Sequence, residues 1–331
     1  MNIREHAGYR NCVNCDADDS EIMFTFTKKW LVEVRSTPSE ILDRMNIDDN
    51  FSSSIVKCKN CGCGYIKDVI ESREPNSEWS QEKIKENIEF YQKLFSRETI
   101  NHLQYEYSLI KNLLDLVLQK KKDNSELSLL DFGSSLSILS PMSRVMGFSD
   151  VMAYDPLYPN NISEITPQNT AINFKFVTDI EEVKAKAPFD AIICQSADEH
   201  FYDLKGDIKN IYDLLSDDGV AYFSHPVMDL DGDIGHLRNE ANVKDKKTIS
   251  RLRATFHVHH LNYVMPKMFK DILIRTGFKE IKVVMLKQRV AGVNFFNFSN
   301  LKLFFKSFAK YFLGLLGSNY RKTEFFLEKY K

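Results

Sequence analysis

Two apolar runs that each end in an acid, joined through a turn of small residues, constrain this chain more than any other feature. The first reads Leu129-Leu130-Asp131-Phe132-Gly133-Ser134-Ser135-Leu136-Ser137, and the second is Val151-Met152-Ala153-Tyr154-Asp155. Such a pair is how a βαβ unit builds a nucleoside pocket at the carboxyl ends of neighbouring strands. Gly133 and the serines keep Cβ bulk low where backbone must approach a ligand closely, and Asp131 is suited to ordering the loop through backbone N–H groups. Asp155 is placed to accept hydrogen bonds from both ribose hydroxyls. A dinucleotide site would need G-x-G-x-x-G to seat a pyrophosphate on a helix N-terminus, and only one of those glycines is present. A nicotinamide cofactor is therefore disfavoured. Taken singly, Asp131, Gly133 and Asp155 would equally suit ordinary strand-to-turn punctuation; their shared register favours the pocket.

With these residues in place, the sequence resembles the class I S-adenosylmethionine-dependent methyltransferases, in particular bacterial enzymes with a cysteine-rich N-terminal module. The family's acid-x-Gly-x-Gly-x-Gly maps to Asp131, Gly133, Ser135 and Ser137, so two glycines have become serines. Pro188-Phe189-Asp190-Ala191-Ile192-Ile193-Cys194 looks like the family's fourth strand, and Asp198-Glu199-His200 like the Glu-His pair that follows it. Ile208 to Leu215 and Ser216-Asp217-Asp218-Gly219-Val220-Ala221-Tyr222-Phe223 look like the next helix, turn and strand. A helix with Met268, Phe269, Ile272 and Leu273 on one face, ended by Gly277, then leads into a late strand over Ile281 to Leu286. The resemblance implies an α/β fold, a Rossmann-like, doubly wound, mostly parallel seven-stranded sheet. It also implies S-adenosylmethionine held by Asp131, Gly133, Ser135 and Asp155, with Asp179 near the adenine edge and Cys194 at the end of the fourth strand. The implied activity is methyl transfer to a hydroxyl or carbon of a small polar acceptor, a nucleotide-linked or surface-glycan sugar by analogy with relatives carrying the zinc-cysteine module.

Five of the six cysteines lie near the start, as Cys12-Val13-Asn14-Cys15 and Cys58-Lys59-Asn60-Cys61-Gly62-Cys63. Two C-x-x-C pairs are what two knuckles of a tetrahedral zinc site require, so Cys12, Cys15, Cys58 and Cys61 are the expected ligands and Cys63 the spare. Four thiolates leave no open coordination position, which makes the expected Zn2+ structural. The gap between Cys15 and Cys58 exceeds that of a common zinc ribbon, so a hairpin or helix must be inserted around Thr37 to Leu42. Free thiols fit a reducing compartment. No run of about 18 apolar residues appears, and the start Met1 to His6 has no signal-peptide core, so the expected location is cytoplasmic, with the inner membrane face open to a peripheral contact. A net charge of −2 gives no general pull toward nucleic acid.

The expected organisation is a zinc-binding module over 1–75, a helical linker or lid over 76–124, the cofactor-binding domain over 125–290, and a helical extension over 291–331. In the linker, Ile84, Ile88, Tyr91 and Leu94 fall at helical spacing, as do Leu103, Tyr107, Ile110, Leu114 and Val117; Tyr91, Tyr105 and Tyr107 are better explained by packing than by substrate contact. In the extension, Leu301, Phe304, Phe305, Phe308, Phe312, Leu315 and Leu316 share a helical face opposite Lys302, Lys306 and Lys310. That face suits packing on its own domain or a second copy, and alternatively a membrane interface.

An open α/β sheet gathers ligands at its strands' carboxyl ends, which points to His200, His225 and His260 as candidate proton-transfer groups, His200 and His225 first because both follow predicted strands. A structural, hydrogen-bonded role competes for each. The alternation His257-Val258-His259-His260 suggests metal binding, but no carboxylate sits at a diagnostic spacing. Two other functions stay open: a noncatalytic scaffold whose serine-substituted loop has lost the cofactor, and an RNA methyltransferase whose zinc ribbon reads RNA.

Overall fold

The computed structural model describes residues 8–33, 39–44, 47–69, 86, 104–121, 126–135, 137–158, 174–227, 260–287 and 321–330. At its centre lies a seven-stranded sheet formed by β6 (Ser128–Phe132), β7 (Asp150–Tyr154), β8 (Lys175–Val177), β9 (Phe189–Gln195), β10 (Leu215–Val227), β12 (Phe278–Lys287) and β13 (Arg321–Lys329). The strand order is β12-β13-β10-β9-β6-β7-β8. From β10 to β8 all pairings are parallel, while β13 runs antiparallel to both β10 and β12. The order reverses at β6, which has β9 on one side and β7 on the other, and it is at such a point, outside the carboxyl ends of the strands, that open α/β sheets bind ligands.

Two-residue alternation explains why the central strands read as unbroken apolar runs. Leu130, Phe132, Met152, Tyr154, Ile192, Cys194 and Phe223 face one side. There they meet Ile208 and Ile211 of the helix Leu204–Leu214 and Phe269, Ile272 and Leu273 of the helix Pro266–Thr276. Leu129, Val151, Ala153, Ile193 and Tyr222 face the other side, against Ile110, Leu113 and Val117 of the helix Gln104–Lys120 and Met142 of the helix Leu139–Met146. A strand buried on both faces gains from every side chain, hence the Leu, Ile and Val content. Tyr105 hydrogen bonds Tyr222 and Glu324, so it packs against the sheet as expected.

One expectation changes here. Residues 321–329, assigned to a helical extension, form β13, inserted between β10 and β12. Phe325, Phe326 and Leu327 are buried within the sheet's two faces. The extension's other apolar positions, 301–316, lie outside the described residues, as do Tyr91, His257, His259 and nearly all of the expected lid helix over 78–98.

The cysteine-bearing segment is a second, smaller sheet. β2 (Ser20–Thr27) and β3 (Ser52–Cys58) pair as an antiparallel hairpin, with Ser20 opposite Cys58. The helices Lys28–Glu33 and Ser39–Arg44 fill the connection, which supplies the insertion that the long gap demanded. β4 (Gly64–Ile66) joins β3, and β11 (Asn262–Tyr263), from the far part of the chain, joins β4. A short β1 (Gly8–Tyr9) pairs with β5 (Asp68–Val69). Cys12, Val13, Val56, Cys58 and Tyr65 share one core with the large sheet, so the two parts are joined by strand pairing and by apolar packing.

Candidate active site

The loop leaving β6 turns tightly over the carboxyl end of β7. The Gly133 and Ser134 N–H groups both donate to the Tyr154 carbonyl, at 2.8 and 3.0 Å. Gly133 has φ +70°, and a Cβ there would stand 2.6 Å from the Ala197 Cβ, so no larger residue fits. Ser135, where the resemblance led one to expect glycine, has φ +48°. The backbone thus keeps the left-handed shape of the glycine, at a cost of about 1–2 kcal/mol. Ser137 also has a task. Its hydroxyl accepts the Leu139 N–H at 3.0 Å at the start of the helix Leu139–Met146 and donates to Asp131 at 3.3 Å.

Two buried acids flank this loop. Asp131 accepts from the hydroxyls of Ser140 (2.8 Å) and Ser137, and burial pushes its carboxyl up to about 7 against those hydrogen bonds. Asp155 accepts from the Ser135 N–H (3.0 Å) through one oxygen and the Leu157 N–H (2.9 Å) through the other; burial raises its carboxyl too. Each oxygen carries a second lone pair, so both retain acceptor capacity for a ligand. Tyr158, which sequence reasoning passed over, lies against the Ser134 hydroxyl at 2.6 Å and donates to the Ser135 carbonyl, clamping the loop from the side. Asp179 is exposed at the carboxyl end of β8 and caps the helix Ile180–Lys186 through the Glu181 N–H. Cys194 is fully buried in the core with its thiol pushed well up by burial, so its side chain packs instead of facing a ligand.

After β9 the chain makes a 3₁₀ turn over Asp198–His200, and the three candidate histidines part company around it. His225 is 1% exposed, stacked on Phe269 with centroids 4.4 Å apart. Its Nδ1 meets the Asp198 carboxylate and its Nε2 the Val264 carbonyl at 2.6 Å. Both partners accept only, so the ring must donate from both nitrogens; burial opposes the charge, but Asp198 outweighs it and the pKa is raised. A ring so engaged has no lone pair for a substrate proton. His200 and His260 instead stand together, rings 4.9 Å apart, and with Glu199 form a cluster whose ligating atoms all lie within 4.8 Å of one another.

Long-range hydrogen bonds fix this cluster. The Leu261 N–H donates to the Glu199 carbonyl at 2.7 Å, and the Asn262 amide donates to the carbonyls of Asp198 (2.8 Å) and Phe201 (2.7 Å). Arg10, buried in the cysteine-bearing part, donates to Ile66 O (2.8 Å), Tyr202 O (2.9 Å), Asn262 Oδ1 (3.1 Å) and Leu261 O. One guanidinium therefore ties the small sheet to both segments that carry the cluster.

Cys12, Cys15, Cys58 and Cys61 converge, with Cys12–Cys61 and Cys15–Cys58 sulfur separations of 3.5 and 3.6 Å. Zinc–sulfur bonds of about 2.3 Å place the corners of a tetrahedron about 3.8 Å apart, so the four thiols fit a zinc ion with little movement. The two knuckles repeat one geometry: Asp16 N–H to Cys12 O and Gly62 N–H to Cys58 O, both 2.8 Å, with positive φ at Asp16 and Gly62. Cys63 is buried and points to the Gly64 carbonyl, outside the set of four.

A methyltransferase-domain family model matches residues 97–283, more than half the chain. The chain belongs to that family. The matched methyltransferase domain runs from β6 into β12 and takes in the loop after β6 and the Asp198–His200 turn, while β13 lies beyond it. The ubiquinone biosynthesis O-methyltransferase of Rickettsia prowazekii is 26% identical over 127 residues, 38% of this chain and 48% of that protein, so the chain spans about half the length of the curated relative it matches. Among solved structures, the 1,6-didemethyltoxoflavin-N1-methyltransferase of Burkholderia thailandensis, bound to 1,6-didemethyltoxoflavin and S-adenosylhomocysteine, shares 12% identity, with a TM-score of 0.44 over 86% of this chain and 98% of that one. A cyclopropane synthase of Mycobacterium tuberculosis shares 16%, with a TM-score of 0.40 over 65% and 82%.

Proposed function

We propose that this chain moves a methyl group from S-adenosylmethionine to an oxygen or carbon of a small polar acceptor, with a nucleotide-linked or surface-glycan sugar as the preferred class. The observation that carries the reading is the turn Gly133 to Ser135 closing on Asp155 through the Ser135 N–H at the point where the strand order reverses. Asp155 would hold the ribose, Gly133 and Ser135 would let backbone approach the amino-acid portion, and Asp179 would face the adenine edge. When bound, the cofactor supplies a methyl group on a cationic sulfonium, a charge that two buried carboxyl groups, Asp131 and Asp155, suit.

On the acceptor side, positioning supplies much of the acceleration of an in-line displacement, and a base is required only where the acceptor must lose a proton. His200 and His260, with Glu199 of the 3₁₀ turn beside them, are the groups assigned to that proton. His225 is assigned to positioning: its ion pair with Asp198 and bond to Val264 hold β10, the 3₁₀ turn and the lead into the helix Pro266–Thr276 in one arrangement. Cys194 is assigned to packing. The four cysteines would hold a structural Zn2+ that fixes the knuckles beside the shared core. The sugar rests on the resemblance to relatives with such a module and on the chain's balanced charge, which favours a small acceptor over a phosphate backbone.

The test is calorimetric titration with S-adenosylhomocysteine. Micromolar binding that Asp155→Ala removes is the expected result. No binding by folded wild-type protein would refute the reading and favour a noncatalytic scaffold.

A further inference from the structure

We propose that Glu199, His200 and His260 form a second metal site, separate from the four cysteines, that takes a divalent first-row transition cation. In the sequence the run His257 to His260 suggests a metal but lacks a carboxylate at a diagnostic spacing, because the carboxylate and His260 come from segments far apart in the chain. The fold joins them: β11 is pulled onto the small sheet by its pairing with β4, and the Leu261 N–H bond to the Glu199 carbonyl sets His260 beside the turn.

Three observations carry the assignment. The first is composition and spacing: one carboxylate and two imidazoles with ligating atoms within 4.8 Å of one another. Bonds near 2.1 Å would draw these atoms in by about an ångström, within the reach of side-chain rotation. The donor set is the two-histidine, one-carboxylate combination that suits iron(II), manganese, cobalt, nickel or zinc and is a poor match for calcium. The second is preorganisation. Asn262 satisfies the carbonyls of Asp198 and Phe201 on either side of Glu199 and His200, and Arg10 holds Asn262 and Leu261 in turn. Fixed outer partners of this kind are what keep ligands in place in metal sites. The third is location. Ala197, two residues before Glu199, lies directly against Gly133 of the loop after β6, so the cluster stands at the ligand-binding end of the sheet.

Three protein ligands leave coordination positions open. With the cation bound, His200 and His260 would act as its ligands in place of the base role; an acceptor hydroxyl oxygen would take an open position, its lowered pKa would release the proton to water, and the oxygen would attack the methyl carbon as the S–CH3 bond breaks and S-adenosylhomocysteine leaves. That use rests on the proposed methyl transfer; the site itself does not.

The experiment is a calorimetric titration of the zinc-loaded full chain with Co2+, with no methyl donor present, read in parallel by visible absorption. The expected result is one Co2+ per chain bound without displacement of zinc and without a thiolate-to-cobalt charge-transfer band, weakened at least about tenfold by Glu199→Gln and by His260→Ala. His200→Ala alters an exposed side chain and is the variant that keeps the test decisive if either buried change prevents folding. No binding by the wild type, binding equally strong in all variants that fold, or a thiolate charge-transfer band with zinc release would each overturn the proposal. The S-adenosylhomocysteine titration reports separately on the methyl-transfer reading, so failure of one is distinguishable from failure of the other.

Discussion

Replacing Arg10 by alanine should uncouple the cysteine-bearing part from the acceptor side of the pocket. The side chain is 7% exposed and donates to four acceptors on three stretches of chain: Ile66, Tyr202, and the Leu261–Asn262 pair. Its charge also lies 5.9 and 5.7 Å from the ring centroids of Tyr65 and Tyr202. Burial lowers its pKa to about 10, which still leaves it protonated at neutral pH. Truncation would remove a donor from four oxygens; the Leu261 carbonyl keeps the Ile66 N–H at 2.9 Å, and each oxygen left without a donor costs about 1–3 kcal/mol if nothing replaces it. Water entering the vacated space recovers part, and the guanidinium's own desolvation cost disappears. A net loss of about 3 kcal/mol is expected, comparable to breaking other buried charged networks. Urea unfolding measures this, alongside S-adenosylhomocysteine affinity, which should hold because the loop after β6 makes no bond to Arg10, and methyl transfer, which should fall. Arg10→Lys should recover little, since one ammonium cannot reach acceptors spread over three segments. A change below about 1 kcal/mol in Arg10→Ala would refute the argument.

The protonation of Asp131 predicts a pH dependence. Its folded pKa is raised from 3.8 to about 7, so the folded state holds a proton that the unfolded chain has already released, and stability should fall as pH rises between those values. The loss is at most about 4 kcal/mol, and Asp131→Asn should flatten the profile measured by denaturation at pH 5 and 8; parallel profiles for both proteins would count against it. Ser135→Val should cost about 2 kcal/mol because a β-branched residue resists positive φ, whereas Ser135→Gly should be near neutral, strain relief offsetting added chain entropy; equal stabilities would argue against a left-handed Ser135. Purified protein should carry one zinc per chain by elemental analysis, and Cys12→Ser or Cys61→Ser should destabilise both sheets together because their core is shared. Clearly less than one zinc, or an unchanged unfolding curve, would remove the structural metal.

Local features were legible in the sequence because local physics sets them. The run Leu129 to Ser137, the acid at Asp155 and the helix from Pro266 to Gly277 each follow from strand alternation, turn chemistry or helical spacing within a few residues. The two C-x-x-C pairs likewise announce their knuckles, since each is a short turn closed by its own backbone bonds. The replacement of two glycines by serines did not reveal that Ser135 holds the left-handed turn or that the Ser137 hydroxyl accepts the first amide of a helix while bonding Asp131.

What depends on long-range pairing was out of reach. Phe325-Phe326-Leu327 is too short a run to separate strand from helix, and only the gap between β10 and β12 makes it a strand. His225 and His260 look alike as letters, yet one is locked between Asp198 and Val264 and the other stands beside Glu199 and His200. Arg10 gives no sign in sequence of reaching Tyr202 and Leu261. The amino-acid sequence by itself determined the parallel strands beside the pocket, the loop after β6 and the knuckles. The tertiary structure decided which buried polar groups satisfy one another, because burying a polar group requires a partner and the chain does not write down where that partner is.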